Sequence, residues 1–288
     1  MLTVVTDSTV MLTRREAAEL GVVVMPMSYS LDGVVHREGF MGENSDYGFA
    51  LAAATLRETM PFYPSECTRT IRSCLERGED VLCVTMSSRL SGAFRSAVAA
   101  ADEVRRAYDE RLPAHLAVLD SWGTAPGLEL VVRHARLLAD AGVGFDDMLV
   151  ALRAYRGRTG ISFAVPDMAA LRRSGRLGAT RRSVTAQLDR YPVFRLRQGA
   201  IETVEVARGT VRMARALSRL VPVEVRTLYV SCFGPPGPAA RQLLLELRRS
   251  HPRAKVLVKD GGPVLSCHLG LGTVALCWGP VGEGEAWG

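Results

Sequence analysis

The sequence lacks several features that would assign it to a specialised class of protein. None of its apolar runs approaches the roughly 20 residues that a membrane-spanning helix requires. Residues Met1 to Asp7 contain no basic side chain and soon reach an acid, unlike a secretory signal peptide. Aromatic residues make up only 6% of the chain, few for a protein that stacks nucleic-acid bases. We therefore expect a cytoplasmic protein that is not an integral membrane protein and does not bind nucleic acid.

Lysine is almost absent, which changes how the net charge is interpreted. Only Lys255 and Lys259 are lysines among 36 basic residues, and 30 acids leave a net charge of +6. Such an excess of arginine is typical of a genome-wide preference for GC-rich codons, so the positive charge alone indicates no partner. A nucleic-acid binder that uses clustered arginines stays a minor alternative.

Neither the cysteines nor the glycines form a motif for a metal or a nucleotide. The six cysteines include no Cys-x-x-Cys pair, and the five histidines are scattered. No Gly-x-x-x-x-Gly-Lys-Ser/Thr sequence is present. The segment GLGTVA at 270–275 resembles part of a dinucleotide fingerprint, but too few residues follow it for a βαβ unit of about 30 residues. We expect reduced thiols, no metal and no cofactor.

Apolar segments separated by helical ones predict the fold. The first of four short apolar segments begins at Leu2, and the other three cover 22–27, 81–86 and 115–120. Helical segments lie between them. Strands of this kind are typical of a parallel sheet covered on both faces. We therefore predict an α/β fold in which residues 1–157 form a three-layer α/β/α domain with a parallel sheet. Within it, the sequence predicts an irregular segment up to Gly42 and a helix over 45–59.

The pattern changes after Gly157. Residues 191–208 predict a β-hairpin with Gly199 in its turn, which requires antiparallel pairing. Further strands are predicted at 161–165, 226–232, 254–259 and 273–278, with helices between them. We predict a second α/β domain with a mixed sheet for residues 158–288.

Hydroxyl and glycine residues follow three of the strands of the first domain. The segments are TDST at 6–9, SSRLSG at 87–92 and DSWGT at 120–124. Ligands of parallel α/β sheets bind beyond the carboxyl ends of the strands. Three such clusters at equivalent positions predict a shared binding site.

Two residues outside this general pattern are candidates for a specific role. Ser91 lies at a strand-to-helix turn, where it could bind an anion together with backbone N–H groups or could simply cap the helix. A serine nucleophile is disfavoured, because the Gly-x-Ser-x-Gly motif is absent there. A lone histidine is more often structural than functional, but the predicted glycine-flanked loop around His268, with Ser266 nearby, makes it a candidate site residue.

Five arginines lie close together in the second half of the chain. They form either a solvated surface or a docking patch for a phosphate-bearing ligand or an acidic partner. The five residues are Arg172, Arg173, Arg176, Arg181 and Arg182.

The motifs taken together identify a family. TDST, SSRLSG, LDS at 119–121, SGR at 174–176, AR at 207–208 and GPVLSCHLGLG at 262–272 occur in order along nearly the whole chain. In this combination the sequence resembles the DegV family of bacterial fatty-acid-binding proteins. The resemblance implies a two-domain fold that buries a long-chain fatty acid in an apolar tunnel. It also implies a carrier, not an enzyme, whose partner is the separate ATP-binding subunit of a fatty-acid kinase.

The resemblance further implies roles for individual residues. Ser91 and the backbone N–H of Gly92 would bind the carboxyl group of the fatty acid, with His268 beside them. Arg176 and Arg208 match family arginines near the mouth of the tunnel and would contact phosphate or the kinase subunit. Such a carrier would contact the membrane only transiently.

One segment departs from the family pattern. The family usually has Thr-Ser-Gln-Pro where this chain has Pro61-Phe62-Tyr63-Pro64, so we expect Pro61 to replace a threonine hydroxyl at the head group. A lost hydrogen bond costs about 0.5–1.5 kcal/mol when the acceptor is neutral, and more when it is charged. Ser8 and Tyr63 are candidate substitute hydroxyls. Two alternatives stay open: a stand-alone acyl hydrolase that uses Ser91 and His268, and a lipid-binding protein uncoupled from any kinase.

Overall fold

The computed structural model describes residues 1–44, 46–109, 111–177 and 189–280. In chain order, its strands are β1 (Leu2–Asp7), β2 (Val22–Met25), β3 (Ser28–Leu31), β4 (Val34–Arg37), β5 (Arg57–Met60), β6 (Asp80–Thr85), β7 (Leu116–Asp120), β8 (Gly160–Ala164), β9 (Arg190–Arg197), β10 (Ala200–Arg208), β11 (Thr227–Cys232), β12 (Lys255–Asp260) and β13 (Val274–Trp278). Its α-helices are α1 (Arg14–Glu19), α2 (Tyr47–Ala53), α3 (Pro64–Glu76), α4 (Ala93–Ala107), α5 (Pro126–Asp140), α6 (Phe145–Arg156), α7 (Met168–Arg173), α8 (Gly209–Ser218), α9 (Pro238–Ser250) and α10 (Pro263–Leu269).

The predicted parallel sheet is present. It has four strands in the order β2-β1-β6-β7, and every pairing in it is parallel. Strand β1 is buried along its whole length, in agreement with the continuous apolar character of its sequence. The carboxyl ends of β1, β6 and β7 therefore point to one edge of the sheet, where the three hydroxyl-rich segments follow them.

The second large sheet is mixed, as predicted. Its six strands have the order β10-β9-β8-β13-β11-β12, in which only β11 and β12 pair in parallel among the described strands. Strands β9 and β10 form the predicted hairpin, and Gly199 adopts a φ of 79° in its turn. The mixed α/β fold is thus confirmed, whereas the division into two domains at residue 157 stays a prediction.

The segment between β2 and α3 differs from the prediction. Residues predicted as irregular form the antiparallel strands β3 and β4, and the helix predicted over 45–59 ends at Ala53. Residues Arg57–Met60 instead form β5, which pairs with β3. Exposed or half-buried side chains in β4 and β5, several of them polar, leave little of the apolar alternation by which strands are identified.

The hydrophobic core joins the two large sheets. A single cluster of buried side chains includes Val4 and Leu82 from the first sheet and Phe194 and Tyr229 from the second. A second cluster lies between the mixed sheet and helices α8 and α9. All six cysteines are buried free thiols that contribute to this packing as small apolar side chains.

A buried ion pair also joins the mixed sheet to the first half of the chain. The Nζ atom of Lys259 on β12 lies 2.7 Å from a carboxylate oxygen of Glu129 on α5. Arg133 pairs with the same carboxylate at 2.8 Å and with Glu16 at 3.1 Å. Since Lys259 and Glu129 are both buried, the removal of either charge would leave the other with fewer partners, Glu129 with Arg133 alone and Lys259 with Glu16 alone.

Candidate functional site

A cavity lies between the mixed sheet and the segments that follow the strands of the parallel sheet. Its empty volume is about 700 Å³, which includes space open to solvent. Most of its wall is apolar, contributed by both halves of the chain. The apolar lining residues are Met27, Met86, Leu90, Ala125, Ile161, Phe163, Leu171, Leu196, Ile201, Phe233, Val264, Leu265, Leu269, Ala275 and Cys277.

The polar lining of the cavity is small. It consists of Thr59, Ser91, Thr124, Arg176 and His268. We call the group formed by Thr59, Ser91, Arg176 and His268 the polar end of the cavity. An apolar wall with a few convergent polar groups is the usual composition of a site for an amphipathic ligand.

Ser91 lies immediately before helix α4, whose N-cap residue is Gly92. Its Oγ atom accepts a hydrogen bond from the backbone N–H of Ala93 at 3.2 Å, so the serine does support the start of the helix. This bond uses a lone pair of the oxygen and leaves the hydroxyl proton available for an acceptor in the cavity. The capping role and the binding role are therefore compatible.

His268 is held by hydrogen bonds at both ring nitrogens. Arg176 donates from its guanidinium to Nδ1 at 3.1 Å, and Nε2 lies 2.6 Å from the hydroxyl oxygen of Thr59. An arginine can only donate, so Nδ1 must be the acceptor and the proton of the neutral ring lies on Nε2. His268 therefore donates to Thr59, and the hydroxyl proton of Thr59 is available to a ligand.

The histidine is kept neutral by its surroundings. Burial disfavours the imidazolium ion, and the positive charge of Arg176 disfavours it further; together they lower the pKa of His268 to about 3. Burial also lowers the pKa of Arg176. The polar end thus combines the neutral side chains of Thr59, Ser91 and His268 with one guanidinium charge, that of Arg176.

Thr59 supplies a hydroxyl near Pro61 that the sequence analysis did not consider, while the replacement of a family threonine by Pro61 stays a prediction. Thr59 lines the cavity with Ser91, two residues before Pro61, and Pro61 lies against Gly92, 3.5 Å from where a Cβ atom of that glycine would be. Sequence reasoning missed Thr59, which lies in none of the motifs named above.

His268 also occupies a different element from the predicted one. It lies in α10, not in a loop, and the glycines Gly262 and Gly270 lie at the two caps of that helix. Both caps have positive φ values that favour glycine, which explains why the segment is glycine-rich.

Other candidate residues lie away from the cavity lining. The hydroxyl of Ser8 donates to Glu38 at 2.6 Å, and Tyr63 is largely exposed at the start of α3. Neither residue lines the cavity, so neither replaces a hydroxyl there. Arg208 is exposed at the end of β10 and also lies outside the lining. Arg181 and Arg182 of the arginine cluster lie outside the described residues.

Arg176 has a different position from a surface docking residue. Its guanidinium donates to the backbone carbonyls of Leu90 at 2.6 Å and Ser174 at 2.8 Å, in addition to His268. These bonds connect the loop after α7 to the segment that precedes Ser91. Arg176 is therefore a structural member of the polar end and orients the histidine.

The TDST segment holds the loops that surround the site. The carboxylate of the fully buried Asp7 accepts a hydrogen bond from the backbone N–H of Met86 at 2.7 Å. Thr124 donates to Thr9 at 3.3 Å, and Thr9 donates to Asp7 at 2.6 Å. The three hydroxyl-rich segments do meet at one edge of the sheet, as predicted, although Asp7 and Thr9 hold the loops and do not line the cavity.

A strained turn follows β7 at the cavity wall. Ala125 has φ 52° and ψ −139°, a combination that non-glycine residues rarely adopt. The backbone after this turn packs closely against β8, because a Cβ atom on Gly127 would collide with the side chain of Ile161. Sequence reasoning missed this feature; the spacing of Gly123 and Gly127 around Ala125 was the available signal.

Among the described residues of the chain, no helix is long and apolar enough to cross a membrane. Those residues also include no group of three or more side chains arranged to hold a metal ion.

The sequence is similar to those of a known protein family. The model of the DegV family matches residues 1–281. A DegV domain-containing protein of Halalkalibacterium halodurans is 26% identical, over 96% of this chain and 98% of the relative.

Two solved structures are similar over almost the whole chain. A DegV family protein from Thermus thermophilus, described as binding a fatty acid, has a TM-score of 0.84 and 26% identity, and the match covers 97% of this chain and 99% of that chain. The Fatty Acid Kinase (Fak) B3 protein of Streptococcus pneumoniae, loaded with linoleic acid, has a TM-score of 0.80 and 17% identity, with coverage of 97% and 99%. The chain described here belongs to the DegV family.

Proposed function

We propose that this protein binds a long-chain fatty acid in the cavity, with the carboxyl group at the polar end. The observation that carries the proposal is the composition of the cavity, an apolar wall that ends at the hydroxyls of Thr59 and Ser91. The Thermus thermophilus relative, described as binding a fatty acid, supports the ligand class. The same proposal places the cavity between the predicted domains 1–157 and 158–288.

The physical chemistry of the ligand matches this arrangement. Each buried CH₂ group contributes about 0.8 kcal/mol, so an acyl chain strongly prefers an apolar wall to water. The same preference drives a free fatty acid into membranes. A protein that encloses the chain therefore keeps the acid in water and leaves only its carboxyl group near the opening.

The donors at the polar end suit a carboxylate. The hydroxyls of Thr59 and Ser91 each have a proton to donate, and the backbone N–H of Gly92 at the start of α4 is a third candidate donor. His268 polarises Thr59 without contributing a charge of its own. The carboxylate would thus be oriented by hydroxyl and amide donors, with the guanidinium of Arg176 also in the cavity lining.

We further propose that the bound acid is presented to the ATP-binding subunit of a fatty-acid kinase, which forms the acyl phosphate. The likeness to the Fak B3 protein supports this part, as does the absence of a P-loop motif from the sequence. The exposed Arg208 is proposed to contact that subunit or the new phosphate. Acyl phosphate should form only when protein, ATP and the kinase subunit are combined, and Arg208→Ala should slow its formation without weakening fatty-acid binding.

The hydrolase alternative is not supported by the geometry. The Nε2 atom of His268 donates to Thr59 and Nδ1 is occupied by Arg176, so neither nitrogen accepts a proton from Ser91. A histidine with its pKa lowered to about 3 is also a weak base.

The binding proposal is tested by equilibrium titration with a long-chain fatty acid, after delipidation of the protein. We expect one acid per protein and a loss of affinity in Ser91→Ala of about 10-fold or more, since hydrogen bonds to a charged acceptor contribute about 1.5–3 kcal/mol. Ser96→Ala is the matched control, because Ser96 lies on the same helix but not in the cavity lining. Failure of the unmodified protein to bind any fatty acid would refute the proposal.

A further inference from the structure

A buried carboxyl group holds one wall of the cavity. Glu38 follows β4 and is only 1% exposed. Its Oε2 atom accepts a hydrogen bond from the hydroxyl of Ser8 at 2.6 Å, and its Oε1 atom accepts one from the backbone N–H of Val264 at 3.0 Å. The second bond spans 226 positions of sequence and attaches the first turn of α10 to the region after β4.

Helix α10 forms the part of the wall that carries the histidine. Val264, Leu265, His268 and Leu269, all on this short helix, line the cavity. A change at the attached end of α10 therefore moves the wall and the ring that donates to Thr59. No residue of the polar end itself contacts Glu38.

The surroundings of Glu38 make its ionisation costly. Burial is the main cause, and the nearby carboxyl groups of Asp7 and Asp260 add repulsion; together they raise the pKa of Glu38 to about 7. The nearest cation in sequence, Arg37, is exposed and pairs with Glu66 at 2.9 Å. The charged and titratable groups around Glu38 are Asp7 on β1, Asp260 on β12, Tyr29 on β3 and Cys267 on α10.

We propose that Glu38 is a positioning residue that couples the placement of α10, and with it His268 and the cavity wall, to the binding of a proton. The proposal rests on the proposed fatty-acid function and adds a means of regulating ligand exchange at the same site. It assigns the role to a residue that touches neither the ligand nor the reacting atoms.

The hydrogen bonds differ between the two protonation states. The ionised carboxylate accepts from both Ser8 and Val264, and its charge strengthens both bonds. The protonated acid must itself donate, and the available acceptor is the hydroxyl oxygen of Ser8, which already accepts from the backbone N–H of Met27 at 3.0 Å. The bond to Val264 is then a weaker neutral one, so α10 is held less firmly and the ligand exchanges faster at lower pH.

Glu38→Gln reproduces the protonated state, because an amide has the same shape, accepts at one atom and donates at the other. The first experiment uses the ligand-free protein and follows the side-chain carboxyl carbon of Glu38 by NMR between about pH 5 and pH 9. We expect a midpoint near 7 in the unmodified protein. Ser8→Ala should move the midpoint to higher pH, since the Ser8 hydrogen bond favours the ionised form.

The second experiment measures the dissociation rate of a bound fatty acid at about pH 6 and about pH 8 by transfer to vesicles of neutral lipid. We expect the unmodified protein to release the acid about fivefold faster at pH 6, the difference between a charged and a neutral hydrogen bond. Glu38→Gln should release it fast at both pH values. Glu43→Gln, in the same part of the chain but exposed, is the matched control and should behave as the unmodified protein does.

The outcomes separate this proposal from the proposed function. A Glu38 carboxyl that titrates below about pH 5 would overturn the proposal, as would the same pH dependence of release in Glu38→Gln and the unmodified protein. If no variant binds fatty acid, the proposed function fails, and amide hydrogen exchange of α10 still tests the positioning role. Equal protection of α10 in Glu38→Gln and unmodified protein at about pH 8 would then refute it.

Discussion

The hydroxyl of Thr59 is the group whose removal tests the arrangement of the polar end most sharply. Thr59→Val keeps the shape of the side chain and replaces the hydroxyl by a methyl group. Two bonds are affected: the one that Thr59 is proposed to donate to the ligand, and the one that it accepts from Nε2 of His268 at 2.6 Å. Loss of the first bond weakens binding of the ligand. Loss of the second leaves the buried Nε2–H group of His268 without its acceptor.

The magnitudes follow from these two bonds. A hydrogen bond to a charged acceptor contributes about 1.5–3 kcal/mol, which corresponds to a loss of affinity for the carboxylate of about 10- to 150-fold. The unsatisfied N–H of His268 costs about 1–3 kcal/mol of folding stability. Binding and stability should therefore both fall in this variant.

The assay compares two ligands of equal chain length, a fatty acid and the corresponding fatty alcohol. Thr59→Val should weaken binding of the acid by the expected factor and binding of the alcohol by much less, because only the acid offers a charged acceptor. Thr55→Val, at an exposed threonine before β5, is the matched control. Unchanged affinity for the acid in Thr59→Val would refute the assignment of Thr59 to the head group.

Three further predictions concern stability. Ala125→Gly should relieve backbone strain of about 1–3 kcal/mol, offset by up to about 1 kcal/mol of chain entropy, and should raise Tm by about 2–4 °C. The control Ala97→Gly, within α4, should lower Tm. A lower Tm in both variants would contradict the strain argument. Lys259→Met should lower the free energy of unfolding, measured in urea, by about 3–5 kcal/mol, because the buried carboxylate of Glu129 loses one of its cationic partners. The double variant Lys259→Met/Glu129→Gln should recover part of the loss. No recovery would show that the charge is not the cause. The pKa of His268 is lowered in the folded state, so the unfolded chain binds a proton more readily and stability falls as the pH drops from about 6.5 towards 3. Between pH 7 and pH 5 the unmodified protein should lose about 2 kcal/mol more than His268→Gln, and equal losses would show that the ring is not held neutral.

The elements with strong local signals could be predicted from the sequence. Strands β1 and β6 are continuous apolar segments, and the hairpin of β9 and β10 has a glycine at its turn. The clustering of hydroxyl residues at one sheet edge followed from the parallel order of these strands. Such features depend on neighbouring residues alone, so one sequence is enough to reveal them.

The elements without local signals were missed. Strand β4 is exposed along its whole length, so burial leaves no alternating pattern in its sequence. Helix α10 is only seven residues long between two glycines, and its composition is equally typical of a loop. For such short segments the packing of the whole chain, and not local preference, decides the conformation.

The details of the site depend on contacts between distant parts of the chain. Ser91 could be selected from its place at a strand-to-helix turn. The bond between Thr59 and His268 joins residues 209 positions apart, and the bond between Glu38 and Val264 joins residues 226 apart. The sequence around each of these residues does not indicate its partner. The role of Arg176 in orienting the histidine likewise emerged only from the structure.

The most direct test of the central claim is a crystal structure of the protein grown with a long-chain fatty acid. We expect one elongated ligand in the cavity beside the mixed sheet, with a carboxylate oxygen within about 3.2 Å of the hydroxyl oxygens of Thr59 and Ser91. A ligand bound with its carboxylate at another place, or a cavity that remains free of the acid at saturating concentration, would contradict the account.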